Sequence, residues 1–472
     1  MQSLKELFKI GSGPSSSHTM GPKKAAEIFK QKNSNADKFE VILYGSLALT
    51  GKGHLTDHII REVLKPTPTS IHFNLEEECK VHPNTLDLIA YKEGKIVHKI
   101  RVYSVGGGTI KIEGENESDA KNIYPLTTFE QIKTYCKEKN IDLYDYVCEI
   151  EGKEEITEYL KQVWNAMQEA INRGLHTTGT IPGILKLKRK AKQIFEFMLD
   201  EETPEIRRNR IVSGYSYAVS EENASGGEIV TAPTCGACGV LPAVLYYLKT
   251  EKNYKDDKII EGLAVAGLIG NLVKTNASIS GAECGCQAEV GTACSMAAAA
   301  TAHILGLGIS RIENSAEVAM EHHLGLTCDP VYGYVQIPCI ERNAVAAMRA
   351  LDVTYLSIML GKQKYISFDM VVETMYETGK DLSSHYRETS SGGLAKKYCR
   401  NKYYNKEMLN WLLYWIKIWQ KYKTKNPDSK VAGFLVLKIL LFFFMYYFHN
   451  CNYSNYSPCN LQGKWKPCIF RE

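Results

Sequence analysis

The chain has 472 residues, enough for two or three domains that each bury a core. Its 44% hydrophobic and 23% charged residues are ordinary for a globular protein, and a formal net charge of +4 gives no reason to expect nucleic acid or an anionic membrane as a partner. Charges at Lys5, Glu6 and Lys9 interrupt any apolar leader, so a cytoplasmic location is expected and the fourteen cysteines read as thiols or metal ligands rather than disulfides.

In chain order, residues 1–145 mix helix and strand signals. Lys23–Lys32 has helical spacing, whereas Phe39–Leu49 and Lys99–Ser104 alternate as strands do, with glycine clusters between them. This predicts an α+β N-terminal domain. The charged stretch 149–158 reads as a linker. From Val163 to Tyr398, Ala-rich and Gly-interrupted apolar runs such as Gly262–Val273 and Ala288–Gly306 lack the polar stripe of surface helices. They predict buried helices in a mostly α-helical second domain, 163–398. The tail, 399–472, differs in kind: it is rich in Tyr, Lys, Asn and Trp and holds Val431–Phe448, an apolar run of membrane-span length interrupted by Lys438. A tail anchor, a buried helix and sequence without a selected fold all remain open for it, with membrane contact the less favoured reading.

Several strings carry chemistry. Gly13–Pro22 (GPSSSHTMGP) packs Ser15, Ser16, Ser17, His18 and Thr19 between glycines, a donor patch suited to a carboxylate or phosphate if Gly21–Pro22 opens a helix. A plain helix cap needs fewer donors. In Gly51–His58 (GKGHLTDH), Asp57 stands three residues after His54 and would orient the imidazole as a base, although such a pair is more often a surface contact. Gly281–Met296 holds Cys284, Cys286 and Cys294, followed by Cys328 and Cys339. The single C-x-x-C pair, Cys235–Cys238, is weak evidence for zinc, and dispersed soft thiolates fit an iron–sulfur cluster better. Some of these thiols are expected to be small buried hydrophobes, and composition does not choose the ligands. Asn223–Thr234 and Thr389–Ala395 set polar residues beside paired glycines; Asn223 is a candidate substrate contact, against the alternative of a tight turn.

Taken together, GPSSSHTMGP (13–22), GKGHLTD (51–57), SVGGGT (104–109), ENASGGEIVTAPTCGACGVLP (222–242), NASISGAECGCQAEVGTACSMA (276–297), MEHHLGLTCDPVYGYVQIPCIERNA (320–344) and residues 373–395 resemble the single-chain form of the iron–sulfur-dependent L-serine dehydratases. The resemblance spans residues 1–398. It implies that the first domain corresponds to the family's β portion and the second to its helical, cluster-binding catalytic portion. It also implies a [4Fe-4S] cluster on Cys286, Cys328 and Cys339, L-serine as substrate, and a homo-oligomer, expected to be a dimer. An open iron would act as Lewis acid on the substrate hydroxyl. His54 is the first choice and His18 the second as base, and Ser15, Ser16, Ser17 and Thr19 would hold the carboxylate. Two departures stand out. GGLA (392–395) is followed by KKYC, so Cys399 comes early for a terminal fourth ligand, and residues 399–472 have no counterpart.

Two other functions compete. A pyridoxal-phosphate dehydratase needs a Schiff-base lysine motif, which is not evident, and a Gly-rich phosphate cup, for which Thr389–Ala395 could be mistaken. A serine-sensing protein with structural thiols predicts binding without turnover; the coexistence of His-bearing loops and cluster cysteines speaks against it.

Overall fold

The computed structural model describes residues 1–77, 81–115, 121–360, 365–388 and 392–398, and Met1–Cys399 form one compact unit. Cys399, the apolar run 431–448 and the tail as a whole lie outside the described residues, as do Thr389–Ser391.

Strand β1 (Ile10–Ser12) leads through the serine-rich string into helix α1 (Gly21–Lys32). Strand β2 (Lys38–Tyr44), helices α2 (Gly45–Thr50) and α3 (Thr56–Leu64), and strands β3 (Thr69–Asn74), β4 (Thr85–Lys92), β5 (Lys95–Gly106) and β6 (Thr109–Ile112) follow. The strand expected over Phe39–Leu49 therefore stops at Tyr44. Gly45 takes φ +51°, a left-handed conformation that suits glycine, and turns the chain into α2. Strands β2 to β6 form one five-stranded sheet in the order β3-β2-β4-β5-β6, parallel between β2 and β3 and antiparallel elsewhere. Alternation decides its faces. Phe39, Val41 and Leu43 of β2, with Leu86 and Leu88 of β4, bury against Ala25, Ala26 and Phe29 of α1 and Ile60 and Leu64 of α3.

The remainder is helical: α4 (Phe129–Lys139), α5 (Leu143–Glu151), α6 (Lys153–His176), α7 (Ala191–Phe195), α8 (Pro204–Ala224), then strand β7 (Glu228–Val230), α9 (Val240–Lys252), α10 (Asp256–Asn276), α11 (Gly281–Cys284), α12 (Thr292–Ile304), α13 (Ile309–Glu321), α14 (Cys339–Met359) and α15 (Phe368–Asp381). The charged stretch 149–158 is helical, interrupted only at Gly152. Helix α12 is buried at every residue, which its Ala-rich sequence without a polar face allows, and α9, α10, α13 and α14 pack around it.

Among the described residues two large hydrophobic cores result, one under the sheet and a larger one among the helices, with a small third cluster of Ile181, Ala224 and Ile340. The chain's first residues belong to the larger core: Leu4 and Phe8 pack where a Cβ on Gly267 of α10 would lie 2.8 Å from each. Strand β1 then pairs antiparallel with β7, joining the N-terminal segment to the helical part directly ahead of the serine string.

Candidate active site

After β1, Gly13 approaches α8 so closely that a Cβ would fall 2.4 Å from the Asn223 carbonyl oxygen. Ser15 caps the next turn, its Oγ accepting from the His18 amide at 3.1 Å. Ser16–Met20 form a π-helical turn that runs into α1, so the polar string is part of a helix start rather than a loose loop. Ser15, Ser16 and Ser17 line a cavity of about 350 Å³.

His18 and Thr19 stand behind that wall. The His18 ring is fully buried; Nδ1 lies 2.8 Å from Ser17 Oγ and Nε2 3.0 Å from Ser46 Oγ. Burial, reinforced by His54, holds its pKa well below the ordinary value, so the ring is neutral. Thr19 Oγ1 donates to the His54 carbonyl at 2.7 Å, and Thr56 Oγ1 donates to the His18 carbonyl at 2.6 Å. These reciprocal bonds clamp the serine turn to the His54 turn, with the two imidazole centroids 4.4 Å apart.

His54 lines the cavity. Its Nδ1 is buried without a hydrogen-bond partner, and burial lowers its pKa to about 4. The expected orienting contact from Asp57 is not made: no hydrogen bond joins the two among the described residues. Leu55, left-handed at φ +57°, turns the chain between them and leaves Asp57 half-buried in the acidic first turn of α3. Asn223 is likewise not among the cavity's lining residues. Its Nδ2 donates to the Pro14 carbonyl at 3.0 Å, bracing the serine turn from α8.

The opposite wall carries the thiols. Cys286 stands between Gly285 (φ +74°) and a second π-helical turn, Gln287–Gly291, which leads into α12. Cys328 sits in the loop after α13, its amide donating to the Tyr386 carbonyl at 2.7 Å, and Cys339 is the first residue of α14. All three line the cavity. Cys286, Cys328 and Glu289 offer ligand atoms within 4.8 Å of one another; Cys339 is outside that group of three but faces the same space. A hydrogen bond from Cys328, helped by Arg342, pulls the Cys286 thiol down against its burial, while the same bond and burial push Cys328 up. Burial likewise raises Cys339.

The remaining cysteines named in the sequence are elsewhere. Cys284 packs where a Cβ on Gly379 would lie 2.7 Å from its sulfur, Cys294 donates to the Ala346 carbonyl inside α12's packing, and Cys235 and Cys238 are fully buried, with thiols raised by burial. These behave as small hydrophobes. Three soft donors on one cavity, one of them biased toward thiolate beside an arginine, fit a thiolate-held metal group.

Three further side chains at or beside the cavity escaped the sequence reading. Glu289 accepts from Thr234 Oγ1 at 2.7 Å and meets the thiols; Arg342 lies one turn after Cys339; Glu388 lines the cavity near His18. Glu289 and Arg342 at least share strings with the cysteines, but Glu388 offers no such signal, because only the tertiary fold carries it to the cavity.

A family model described as the serine dehydratase alpha chain matches residues 32–395. The chain is 40% identical to L-serine dehydratase 2 of Escherichia coli (strain K12), over 84% of this chain and 99% of that protein. It is also 40% identical to the L-serine dehydratase of Haemophilus influenzae, over 85% of this chain and all of that protein. To the L-serine dehydratase of Streptomyces coelicolor it is 38% identical, over 83% and 98%. Matched along most of its length by the family model and by these relatives, and carrying the thiol-lined cavity described above, the chain belongs to the L-serine dehydratase family of the iron–sulfur type.

Proposed function

We propose that the chain converts L-serine to pyruvate and ammonia, using a [4Fe-4S] cluster held by Cys286, Cys328 and Cys339. The observation that supports this best is the meeting of two unlike walls on one cavity: serine hydroxyls and a neutral imidazole on one side, three thiols on the other. When bound, the cluster supplies a Lewis-acidic iron with an open position for the serine hydroxyl.

The protein's own groups do the rest. Ser15, Ser16 and Ser17 hold the substrate carboxylate, and Thr19 and Asn223 keep that turn in place through the His54 and Pro14 carbonyls. His54 takes the α-proton. It lines the cavity, is neutral, and has a nitrogen with no partner, whereas both ring nitrogens of His18 already face hydroxyls. His18 therefore serves by fixing Ser17 and Ser46. Loss of the α-proton and the hydroxyl leaves aminoacrylate, which tautomerises and takes up water to give pyruvate and ammonia. We further propose a cytoplasmic homodimer, with the tail outside the catalytic machinery. Among the described residues no helix is long and apolar enough to cross a membrane.

Anaerobic purification followed by an iron and sulfide count and a pyruvate assay on L-serine tests the reading. About four iron and four sulfide per chain with pyruvate release is the expected result. A protein that binds serine and makes no pyruvate would overturn it.

A further inference from the structure

The structure assigns Glu388 as the subsite for the substrate's α-ammonium group. This deepens the proposed reaction and rests on it. L-serine presents three groups to a site: a carboxylate, a hydroxyl and a cationic ammonium. The serine turn suits the first and the thiol corner the second, so the third needs an anion facing the same cavity.

Three carboxylates line that cavity: Glu283, Glu289 and Glu388. Glu283 pairs with Lys380 at 2.6 Å. Glu289 accepts from Thr234 and sits among the thiols. Like Glu289, Glu388 pairs with no lysine or arginine among the described residues, but unlike Glu289 it stands beside the serine turn rather than within the group of ligand atoms that includes Cys286 and Cys328. The basic group beside Glu388, His18 Nδ1 at 3.7 Å, belongs to a neutral ring whose nitrogen is already 2.8 Å from Ser17 Oγ. That proximity also fixes where Glu388 stands: next to the residues that receive the carboxylate, as an α-amino acid requires of its neighbouring ammonium.

The segment holding Glu388 is built to aim it. Its side chain is 14% exposed, and its backbone sits at φ +41°, a conformation that non-glycine residues adopt only when their surroundings impose it. The imposing contacts are the Cys328 amide on the Tyr386 carbonyl at 2.7 Å and Arg387 Nη1 on the Glu283 carbonyl at 3.2 Å. A buried carboxylate without a counter-charge is costly, and burial raises Glu388 to about 8, with Glu289 and Cys286 adding to it, so with no cation beside it the group is largely the neutral acid and an adjacent cation favours its ionised form. An arriving ammonium supplies the missing charge.

The test compares two ligands on the cluster-loaded enzyme: L-serine through its KM, and 3-hydroxypropionate, which keeps the hydroxyl and carboxylate but has no ammonium, through its inhibition constant. Glu388→Gln is expected to raise KM for L-serine about 30-fold or more, as loss of one partner of a buried charge pair does, while the inhibition constant moves less than about threefold. Equal weakening of both ligands would overturn the assignment, as would a fall in kcat with KM unchanged, which would make Glu388 a proton relay through His18. If Glu388→Gln does not accumulate, Glu388→Asp carries the same test: withdrawing the charge by one methylene raises KM for L-serine and spares 3-hydroxypropionate, and any other pattern sinks the assignment. A wild-type enzyme that makes no pyruvate is a failure of the proposed function instead, visible before any variant is made.

Discussion

The two walls of the cavity are made in opposite ways. The hydroxyl wall comes from consecutive residues, Ser15–Thr19, whose own turn sets their relative positions and whose hydrogen bonds to the His54 turn are short and reciprocal. The thiol wall comes from three separate elements, a loop before α12, a loop after α13 and the start of α14, and among the described residues no hydrogen bond within one turn joins all three. A wall built locally is pre-set by backbone geometry. A wall built from distant elements depends on helix packing and, in the proposed enzyme, on the group the thiols hold in common.

The largest effect should come from breaking the distant wall. Replacing Cys286, Cys328 or Cys339 singly by Ser is expected to abolish the visible absorbance and the pyruvate-forming activity together, read by absorption spectroscopy and assay under argon. A variant keeping both would remove that cysteine from the ligand set. Breaking the local wall should leave the absorbance intact. His54→Ala is expected to lower kcat by about 10²–10⁴, the usual contribution of a general base, with little change in KM. Solvent exchange of the α-proton, followed by NMR, identifies the step; normal exchange in this variant would move the base elsewhere.

The same histidine separates the walls in acid. Its folded pKa of about 4 lies below the unfolded value of 6.5, so the unfolded chain takes up the proton first. Its contribution is intact above pH about 6.5 and is lost as pH falls toward about 4, on the order of 3 kcal/mol in all. His54→Gln should therefore lose less melting temperature between those pH values than wild type does, by calorimetry; an identical loss would mean that another group governs acid stability. The smallest effect is expected from the tail. A chain ending at Tyr398 should turn over L-serine comparably to the full chain. If Cys399 caps the resting cluster, the truncated enzyme will differ in its sensitivity to air; a truncated protein that holds its cluster and makes no pyruvate would return the tail to the enzyme.

What could be read from the sequence follows the same division. The serine string was legible because its chemistry is contiguous, and α12 because thirteen residues without a polar face have nowhere to go but inside. Asp57 was misplaced because spacing alone does not reveal the left-handed Leu55 that parts it from His54. Asn223, read from the sequence as a substrate contact, also braces the serine turn, because Gly13 approaches α8 closely enough for its Nδ2 to reach the Pro14 carbonyl. Of Cys284, Cys286 and Cys294, crowded within eleven residues, only the second reaches the cavity, since the short helix α11 and the packing of α12 turn the others away. Glu388 was illegible for a simpler reason: its meaning lies wholly in which distant residues surround it.

The antiparallel pair of β1 with β7 has a consequence for synthesis. Ile10 is bonded in register with Val230, and the serine turn hangs directly from β1. While the chain emerges from the ribosome at about 5–20 residues per second, the first dozen residues wait roughly 10–45 s for that strand to exist. The sheet, whose partners all lie between residues 38 and 112, is free to form in the meantime. The earliest-made part of the site is thus seated only after residue 230 has been made, still ahead of the thiol wall at 286–339, and a chain arrested before β7 can carry a finished sheet with neither wall of the cavity in place.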